Sequence, residues 1–408
     1  MRTTTKRRTF LAGGVSAAAM LPGLAARAER KNDEGATDTE IKIGNTNPYS
    51  GPASSYAAIG KTIDAYFKSV NEAGGINGRK IKFISMDDGY VPSKTVEVVR
   101  EMVEQEKIFA LFQSLGTPCN TAIHKYMHQK KVPQLFVATG ASKWGDPQHF
   151  PWTMGFQPDY HTEAVIYAKH ILANVKDAKI AVLHQNDDYG RDYLGGFKEG
   201  LGKETGRIVK IVTCEATDPT IESQIIQLKD SGANVFFNVT GPKHSAQGIR
   251  KMVDIGWRPA HYLNNVSASV AAVMKPAGFD NAQGIITAAY LMDATDKQWD
   301  DNAEMKDWKA WMDKHMPQAN KADANHIYAY AVSFLMCETL KRCGDDMTRA
   351  NLMKQAAGFR NFRVPMLLPG ILVNTGPTDF YPIQAVQLQR FKGETWELFG
   401  EIMHAESS

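Results

Sequence analysis

The sequence has few cysteines, little net charge and no long hydrophobic run beyond its first residues. Its 408 residues include four cysteines, and 47 basic residues stand against 44 acidic ones, giving a formal charge of +3. This composition excludes a disulfide-rich miniprotein and gives no support to nucleic-acid binding. No stretch after the N-terminal segment approaches the roughly 18 apolar residues of a membrane span. We therefore expect a soluble mature chain of two or three domains.

Catalytic motifs are also absent. The sequence has no Gly-x-Ser-x-Gly elbow, no phosphate loop ending in Gly-Lys-Ser/Thr and no His-Glu-x-x-His helix. The glycines Gly200, Gly202 and Gly206 have the wrong spacing for a dinucleotide-binding loop. His124 and His128 are separated by one helical turn but have no acidic partner nearby, which favours a solvated helix face over a metal site. The sequence therefore predicts a protein that is not an enzyme and uses no cofactor or metal.

The first 28 residues have the features of an export signal. They contain five basic residues and no acidic residue, and an apolar segment leads to the small-residue sequence Ala26-Arg27-Ala28. The pair Arg7-Arg8, followed by Thr9-Phe10-Leu11, matches the twin-arginine pattern. The alternative is a short anchor helix, but the apolar segment is too short to span a bilayer comfortably. Cleavage near Ala28 would leave a periplasmic chain with a formal charge of −2.

The positions of the cysteines leave one disulfide open. No cysteine precedes Cys119, so a lipid-modified cysteine at the cleavage site is excluded. Cys337 and Cys343 are the nearest pair, and an oxidising compartment would permit a bridge between them. Inside one helix the two side chains would point to different faces, so the bridge requires that the helix has ended by Gly344.

From Glu40 onward, short apolar runs alternate with longer amphipathic segments. This alternation predicts an α/β fold with two parallel sheets in series, separated by the stretch Pro151–Pro158. Three helices, at about Asn302–His315, Ala324–Lys341 and Thr348–Ala357, and a hairpin follow toward the C-terminus. Open parallel sheets bind ligands beyond the carboxyl ends of their strands. That rule nominates five loops, namely Asn47–Tyr56, Gln113–Asn120, Ala138–Ser142, Gln185–Tyr189 and Thr240–Lys243.

Two of these loops have the composition of an anion site. Thr117-Pro118 is a good N-cap and first-turn pair, and Gly116 precedes it where a helix offers unpaired N–H groups. Thr139-Gly140-Ala141-Ser142 combines hydroxyl groups with small residues, which lets backbone N–H groups approach a carboxylate. The alternative is that Thr117 only caps its helix. Three aromatic residues lie in or near the nominated loops and either line a pocket or pack in a hinge: Tyr56, Trp144 and Tyr189.

Several stretches together resemble the type I periplasmic solute-binding proteins of the leucine/isoleucine/valine-binding branch. The resemblance rests on Ile41-Lys42-Ile43-Gly44, Ser50-Gly51-Pro52, Asn71-Glu72-Ala73-Gly74-Gly75-Ile76-Asn77-Gly78, Asp87-Asp88, Gly116-Thr117, Gly140-Ala141-Ser142, Asp188-Tyr189-Gly190 and Ser223-Gln224. It implies two doubly wound parallel-sheet lobes joined by a three-crossing hinge, with the ligand between them. The implied boundaries are residues 39–156 plus 291–365 for the first lobe and 157–290 plus 366–408 for the second.

The resemblance also implies a set of ligand-binding residues. Tyr56 and Tyr189 resemble the family's aromatic residues, and the loops at Gly116-Thr117 and Gly140–Ser142 resemble the elements that hold the ligand carboxylate. The region Leu263-Asn264-Asn265-Val266-Ser267 has no acid where amino-acid binders place one for the ligand ammonium, although Asp187 and Asp188 are alternatives, and Thr240-Gly241 replaces a tyrosine. The expected ligand-binding residues are Tyr56, Gly116, Thr117, Thr139, Gly140, Ala141, Ser142, Tyr189, Thr240 and Asn265.

These observations favour an exported receptor of an ABC importer. The expected ligand is a small carboxylate, either an aromatic or other organic acid without an amine, or a hydrophobic amino acid. A buried ammonium without a counter-charge would be costly, which favours the amine-free acid. The expected partners are a membrane permease and its ATPase, with the receptor a monomer that binds no nucleic acid. The alternatives are a sensory subunit of the same fold and an exported enzyme built on nucleotide-binding domains.

Overall fold

The computed structural model describes residues 1–3 and 30–404. The twin-arginine pair and the cleavage site at Ala28 lie outside these residues. The strands are β1 Lys31–Asn32, β2 Glu40–Asn47, β3 Lys80–Asp87, β4 Ala110–Phe112, β5 Gln134–Val137, β6 Thr153–Gly155, β7 Ile180–Gln185, β8 Ile208–Cys214, β9 Val235–Val239, β10 Ala260–Leu263, β11 Ile286–Ala289, β12 Asp346–Met347, β13 Ala385–Lys392 and β14 Thr395–His404.

The helices alternate with the strands through most of the chain, as expected for parallel sheets. They are α1 Ala57–Glu72, α2 Pro92–Glu104, α3 Thr117–Lys130, α4 Tyr160–Asn174, α5 Asp188–Leu201, α6 Glu222–Asp230, α7 Pro242–Asp254, α8 Lys275–Ala277, α9 Ala303–His315, α10 Ala324–Cys343 and α11 Arg349–Ala356. In the described residues, no helix has the length and apolar character needed to cross a bilayer.

The first sheet has five parallel strands in the order β3-β2-β4-β5-β6. Helices cover both faces, so the central strands are apolar on both sides. Ile41 and Ile43 of β2 pack with Ile63 and Phe67 of α1, whereas Leu111 of β4 packs on the other face with residues of α2 and α3. Strand β6 lies within the stretch that was expected only to separate the two sheets. That expectation was wrong because a three-residue strand gives no alternating pattern.

The second sheet has seven strands in the order β14-β13-β11-β10-β9-β7-β8. Strands β7 to β11 are parallel, and the C-terminal hairpin β13–β14 adds antiparallel strands at one edge. The structure thus has the expected α/β class with doubly wound parallel sheets.

The chain passes between the two sheets three times. It leaves the first sheet after β6, returns after β11 so that α10 packs against α1, and joins the second sheet again at β13. We call the part built on the five-stranded sheet, with α1–α3 and α9–α11, the first lobe, and the part built on the seven-stranded sheet the second lobe. The residue boundaries implied by the resemblance stay a prediction.

All four cysteines are buried free thiols. Helix α10 ends at Gly344, but only after it has included both Cys337 and Cys343. Six residues rotate a helix by about 600°, so the two side chains point to different faces. The helix therefore does not bring these sulfurs together, and no bridge forms.

Candidate functional site

A cavity of about 150 Å³ lies between the lobes, beyond the carboxyl ends of strands from both sheets. First-lobe residues after β2, β3, β4 and β5 face second-lobe residues after β7, β9, β10 and β11. Much of its aromatic surface comes from six tyrosines: Tyr56, Tyr90, Tyr160, Tyr189, Tyr290 and Tyr328. The position is the one expected for a ligand site in open parallel sheets.

The structure brings half of the expected binding residues to this cavity. The lining includes Tyr56, Gly116, Thr117, Tyr189 and Asn265. The other expected residues are not part of the lining, and they are Thr139, Gly140, Ala141, Ser142 and Thr240. The role of any of the ten in ligand binding stays a prediction.

Gly116 and Thr117 form the first-lobe wall at the start of α3. The N-cap is Gly116, with a φ of 97°, and Thr117 is not the cap that the sequence predicted. Thr117 lies inside the first turn, where its hydroxyl hydrogen-bonds the hydroxyl of Thr139 at 2.6 Å. A Cβ at position 116 would lie 2.5 Å from the ring of Tyr90, so both the backbone conformation and the packing require glycine. Thr139 therefore does not line the cavity itself but holds Thr117, which does.

Ser142 joins the two lobes. Its amide N–H donates to Oδ2 of Asp192 at 2.9 Å, and its hydroxyl donates to Oδ1 of Asp192 at 2.6 Å. Asp192 lies on α5 of the second lobe, so a carboxylate of the protein itself takes both donors of Ser142. Next to this contact, Lys143 of the first lobe pairs with Asp188 of the second at 3.1 Å. We call Ser142, Lys143, Asp188 and Asp192 the interlobe latch.

We expect Asp192→Asn to open the lobes of the unliganded protein. The new amide nitrogen cannot accept from Ser142, so at least one charge-assisted hydrogen bond is lost, at a cost of about 1–3 kcal/mol. The ratio of closed to open molecules should fall roughly 5- to 150-fold. Small-angle scattering should then show a larger radius of gyration, whereas Asp230→Asn, an exposed change in the same lobe, should leave it unchanged. Equal radii for all three proteins would contradict a closing role for the latch.

On the second-lobe side, Asn265 is held by a buried carboxylate. Its backbone N–H donates to Oε1 of Glu163 at 2.9 Å, and its side-chain nitrogen donates to Oε2. The hydroxyl groups of Tyr167 and Tyr193 donate to the same carboxylate, at 2.7 and 3.0 Å. Burial raises the pKa of Glu163 to about 8, and the donated hydrogen bonds act in the opposite direction. Thr240 lies deeper, where its carbonyl oxygen accepts from Ser267.

Sequence reasoning missed four of the six cavity tyrosines. Tyr90 follows β3 and Tyr160 begins α4 after β6, whereas Tyr290 and Tyr328 come from the hinge and from α10. The rule about carboxyl ends would have found Tyr90 after β3 and Tyr290 after β11 if the loops after every predicted strand had been nominated, whereas Tyr160 follows β6, which was not predicted. Tyr56 also donates its hydroxyl to the carbonyl oxygen of Val266 at 2.9 Å, which links the lobes.

Two charged residues also line the cavity: Lys243, which belongs to a nominated loop, and Asp293, which the sequence analysis missed. Lys243 donates to the carbonyl oxygen of Asp218 at 2.9 Å. Asp293, in the hinge, accepts from the N–H of Thr295 at 2.8 Å, and burial raises its pKa. Asp187, one of the alternatives for pairing an ammonium, instead caps α5 by accepting from Gly190. In the part of the chain that the structure describes, no three His, Cys, Asp or Glu residues are arranged to hold a metal.

Comparison with known proteins identifies the family. Residues 40–395 match the family described as periplasmic binding protein. A relative is the Leu/Ile/Val-binding protein homolog 1 of Brucella abortus, 26% identical over 80% of this chain and 85% of its own length. Among solved structures, the fold is similar to a branched-chain amino acid ABC transporter protein from Thermus thermophilus with bound valine. The two structures match with a TM-score of 0.81 and 17% sequence identity. The match covers 90% of this chain and 97% of the Thermus chain.

A second solved structure has a different ligand. The solute-binding protein of an ABC transporter from Rhodopseudomonas palustris BisB5, in complex with 3,4-dihydroxybenzoic acid, has a TM-score of 0.75 and 20% identity, and covers 90% of this chain and 98% of its own. Proteins with this fold thus differ in the ligand they bind. Since the family match extends over most of the sequence, the chain belongs to the periplasmic binding protein family.

Proposed function

We propose that this chain is an exported receptor of an ABC importer that binds a small carboxylate between its two lobes. The observation that carries the proposal is the interlobe cavity, in which the first turn of α3 faces a set of tyrosine rings. The family match and the names of the relatives support the transport role. The partners would be a permease and an ATPase that recognise the closed form. The receptor would act as a monomer in the periplasm.

The start of α3 is the proposed site for the carboxylate. Among the described residues, the backbone N–H of Thr117 has no acceptor, and Pro118 has no N–H to compete. A helix N-terminus carries partial positive charge, so an anion there is stabilised. The size of the cavity supports a small ligand, because an engineered cavity of about 150 Å³ in another protein accepts one benzene molecule.

A ligand screen tests this function directly. The purified mature protein is heated with valine, leucine, benzoate, 4-hydroxybenzoate, 3,4-dihydroxybenzoate and shikimate in turn. A ligand at 100 times its Kd should raise the free energy of unfolding by about 2.7 kcal/mol and so raise the Tm. Calorimetric titration then gives the Kd of each compound that shifts the Tm. A Tm that stays constant with every acid at millimolar concentration would contradict the proposed function.

A substitution of Asp293 distinguishes the two ligand classes that the sequence left open, an amine-free organic acid and a hydrophobic amino acid. Asp293 is an acid in the lining, so an amino-acid ligand would direct its ammonium there. For an amine-free acid, we expect Asp293→Asn to leave the Kd unchanged or to lower it, because a negative charge near the ligand has been removed. A Kd that rises tenfold or more for an amino acid would assign the ammonium to Asp293.

A further inference from the structure

Three side-chain amides around the cavity are each tied to a carboxylate. Asn265, Gln185 and Asn325 all belong to the lining. The side-chain nitrogen of Asn265 donates to Glu163, that of Gln185 donates to Asp187, and that of Asn325 donates to Asp323 at 2.9 Å. They come from three places, after β10, at the end of β7 and at the start of α10. The same arrangement therefore occurs on both lobes.

Each carboxylate determines whether the nitrogen or the oxygen of the neighbouring side-chain amide is left to contact a ligand. A carboxylate accepts hydrogen bonds, so the NH₂ group of the amide must turn toward it and the carbonyl oxygen away. Among the described residues, nothing donates to the side-chain oxygen of Asn265, Gln185 or Asn325. The side-chain nitrogen of Gln157, a fourth lining amide, donates a hydrogen bond to the hydroxyl oxygen of Tyr160 at 3.2 Å. The cavity therefore offers oxygens that accept hydrogen bonds.

Asn265 keeps its orientation when Glu163 carries a proton on Oε1. Tyr193 donates to Oε2 and has no other acceptor among the described residues, so Oε2 remains an acceptor. A proton on Oε1 can be donated to the hydroxyl oxygen of Tyr167. Tyr167 can then turn its own hydrogen to the carbonyl oxygen of Leu263, 3.0 Å away. With the proton on Oε1, the side-chain nitrogen of Asn265 therefore faces Oε2 just as it does in the ionised state.

We propose that the ligand is a carboxylic acid that carries hydroxyl groups, which donate to the amide oxygens of Asn265, Gln185 and Asn325. This inference rests on the proposed function and names its substrate class. Three acceptors at separate strand and helix ends require donors at separate positions on the ligand. An α-amino acid with an apolar side chain has its donors on one nitrogen only. A hydroxyl group also needs no counter-charge, whereas an ammonium facing neutral amides does.

Matched acids that differ only in hydroxyl groups test the inference. Calorimetric titration compares benzoate, 4-hydroxybenzoate and 3,4-dihydroxybenzoate, and separately cyclohexene-1-carboxylate and shikimate. The wild-type protein should bind the more hydroxylated acid of at least one series about five- to tenfold more tightly per hydroxyl group. In the Asn265→Leu variant, the ratio of affinities between two acids that differ by one hydroxyl group should fall to about two or less for one of the hydroxyl positions. The affinity for the acid without hydroxyl groups should stay within threefold.

Two further variants show that orientation is the cause. Glu163→Gln leaves one acceptor atom in place of two, so Asn265 loses its fixed orientation and the ratio should fall without a change at the amide itself. Asn186→Leu removes an amide that is also tied to a carboxylate, Glu215, but lies outside the cavity lining, and it should keep the wild-type ratio. If Glu163→Gln unfolds the protein, Asn265→Leu alone decides the question.

The failures of the two proposals are distinguishable. If acids bind but affinity does not change along either series, or if the ratio survives Asn265→Leu, the hydroxyl assignment is overturned and the receptor function stands. Valine bound more tightly than every hydroxylated acid would also overturn the hydroxyl assignment. If no acid binds, the proposed function itself is contradicted.

Discussion

The His261→Leu variant is expected to be more stable than the wild-type protein, and the gain should grow as the pH falls. His261 lies on β10, and neither ring nitrogen has a hydrogen-bond partner in the structure. A buried polar group without a partner costs about 1–3 kcal/mol. Leucine has a similar volume but loses the stacking of the ring on Phe236, at 4.7 Å between centroids, which is worth about 0.5–1.5 kcal/mol. The net gain at pH 7 should be about 1 kcal/mol.

The dependence on pH follows from the same burial. Burial lowers the pKa of His261 from 6.5 to about 3, so the unfolded chain binds a proton between these values and the folded chain does not. Stability that is present above pH 6.5 is therefore lost as the pH falls toward 3, at about 1.4 kcal/mol per pH unit. At pH 4.5 the difference between His261→Leu and wild type should have grown by about 2.5–3 kcal/mol.

Urea unfolding followed by circular dichroism at pH 7 and pH 4.5 measures this difference. The carboxylates contribute equally to both proteins, so the change in the difference isolates residue 261. His128→Leu, at an exposed position on α3, is the matched control and should show no growing difference. A gap between His261→Leu and wild type that is the same at both pH values would mean that the ring is charged in the folded protein.

The Glu163→Leu variant should lose about 3–5 kcal/mol of stability. The leucine leaves four donors without their acceptor, namely the hydroxyl groups of Tyr167 and Tyr193 and the two nitrogens of Asn265. Tyr167 can turn to the carbonyl oxygen of Leu263, which limits the loss, but the other three donors have no alternative among the described residues. Breaking a buried polar cluster from one side costs several kcal/mol because the remaining groups stay desolvated.

A lower urea midpoint in the transition of the second lobe is the expected observation. Glu97→Leu makes the same change at an exposed position of α2 and should stay within about 0.5 kcal/mol of wild type. An effect of Glu163→Leu as small as that of Glu97→Leu would show that the carboxylate is not a significant part of the second-lobe core.

Most secondary-structure elements were predictable because their patterns are local. Helix α9 was expected from Asn302 to His315 and runs from Ala303 to His315, because Asn302 caps it and the apolar spacing is regular. Strand β10 was not predicted, because its four residues give no usable period. Short central strands are defined by the neighbours that they pair with, which a local pattern does not contain.

The site was predictable only where one lobe determines it. Gly116 follows from a turn conformation within the first lobe, whereas the bonds from Ser142 to Asp192 join residues fifty positions apart in different lobes, and no local pattern predicts them. Likewise, Tyr328 reaches the cavity from α10, and its sequence surroundings resemble those of an ordinary core tyrosine. Contacts of this kind depend on the packing of distant segments.

The interlobe latch has a consequence for selectivity. Its hydrogen bonds join protein to protein, so their contribution to closing is the same whichever molecule lies in the cavity. A change that strengthens the latch therefore lowers the Kd of every ligand by one common factor. Discrimination is a difference between affinities, so that factor cancels. Affinity and selectivity thus depend on separate residues, and a change at Asp192 alters the affinity for every ligand without altering the ratio of affinities between two ligands.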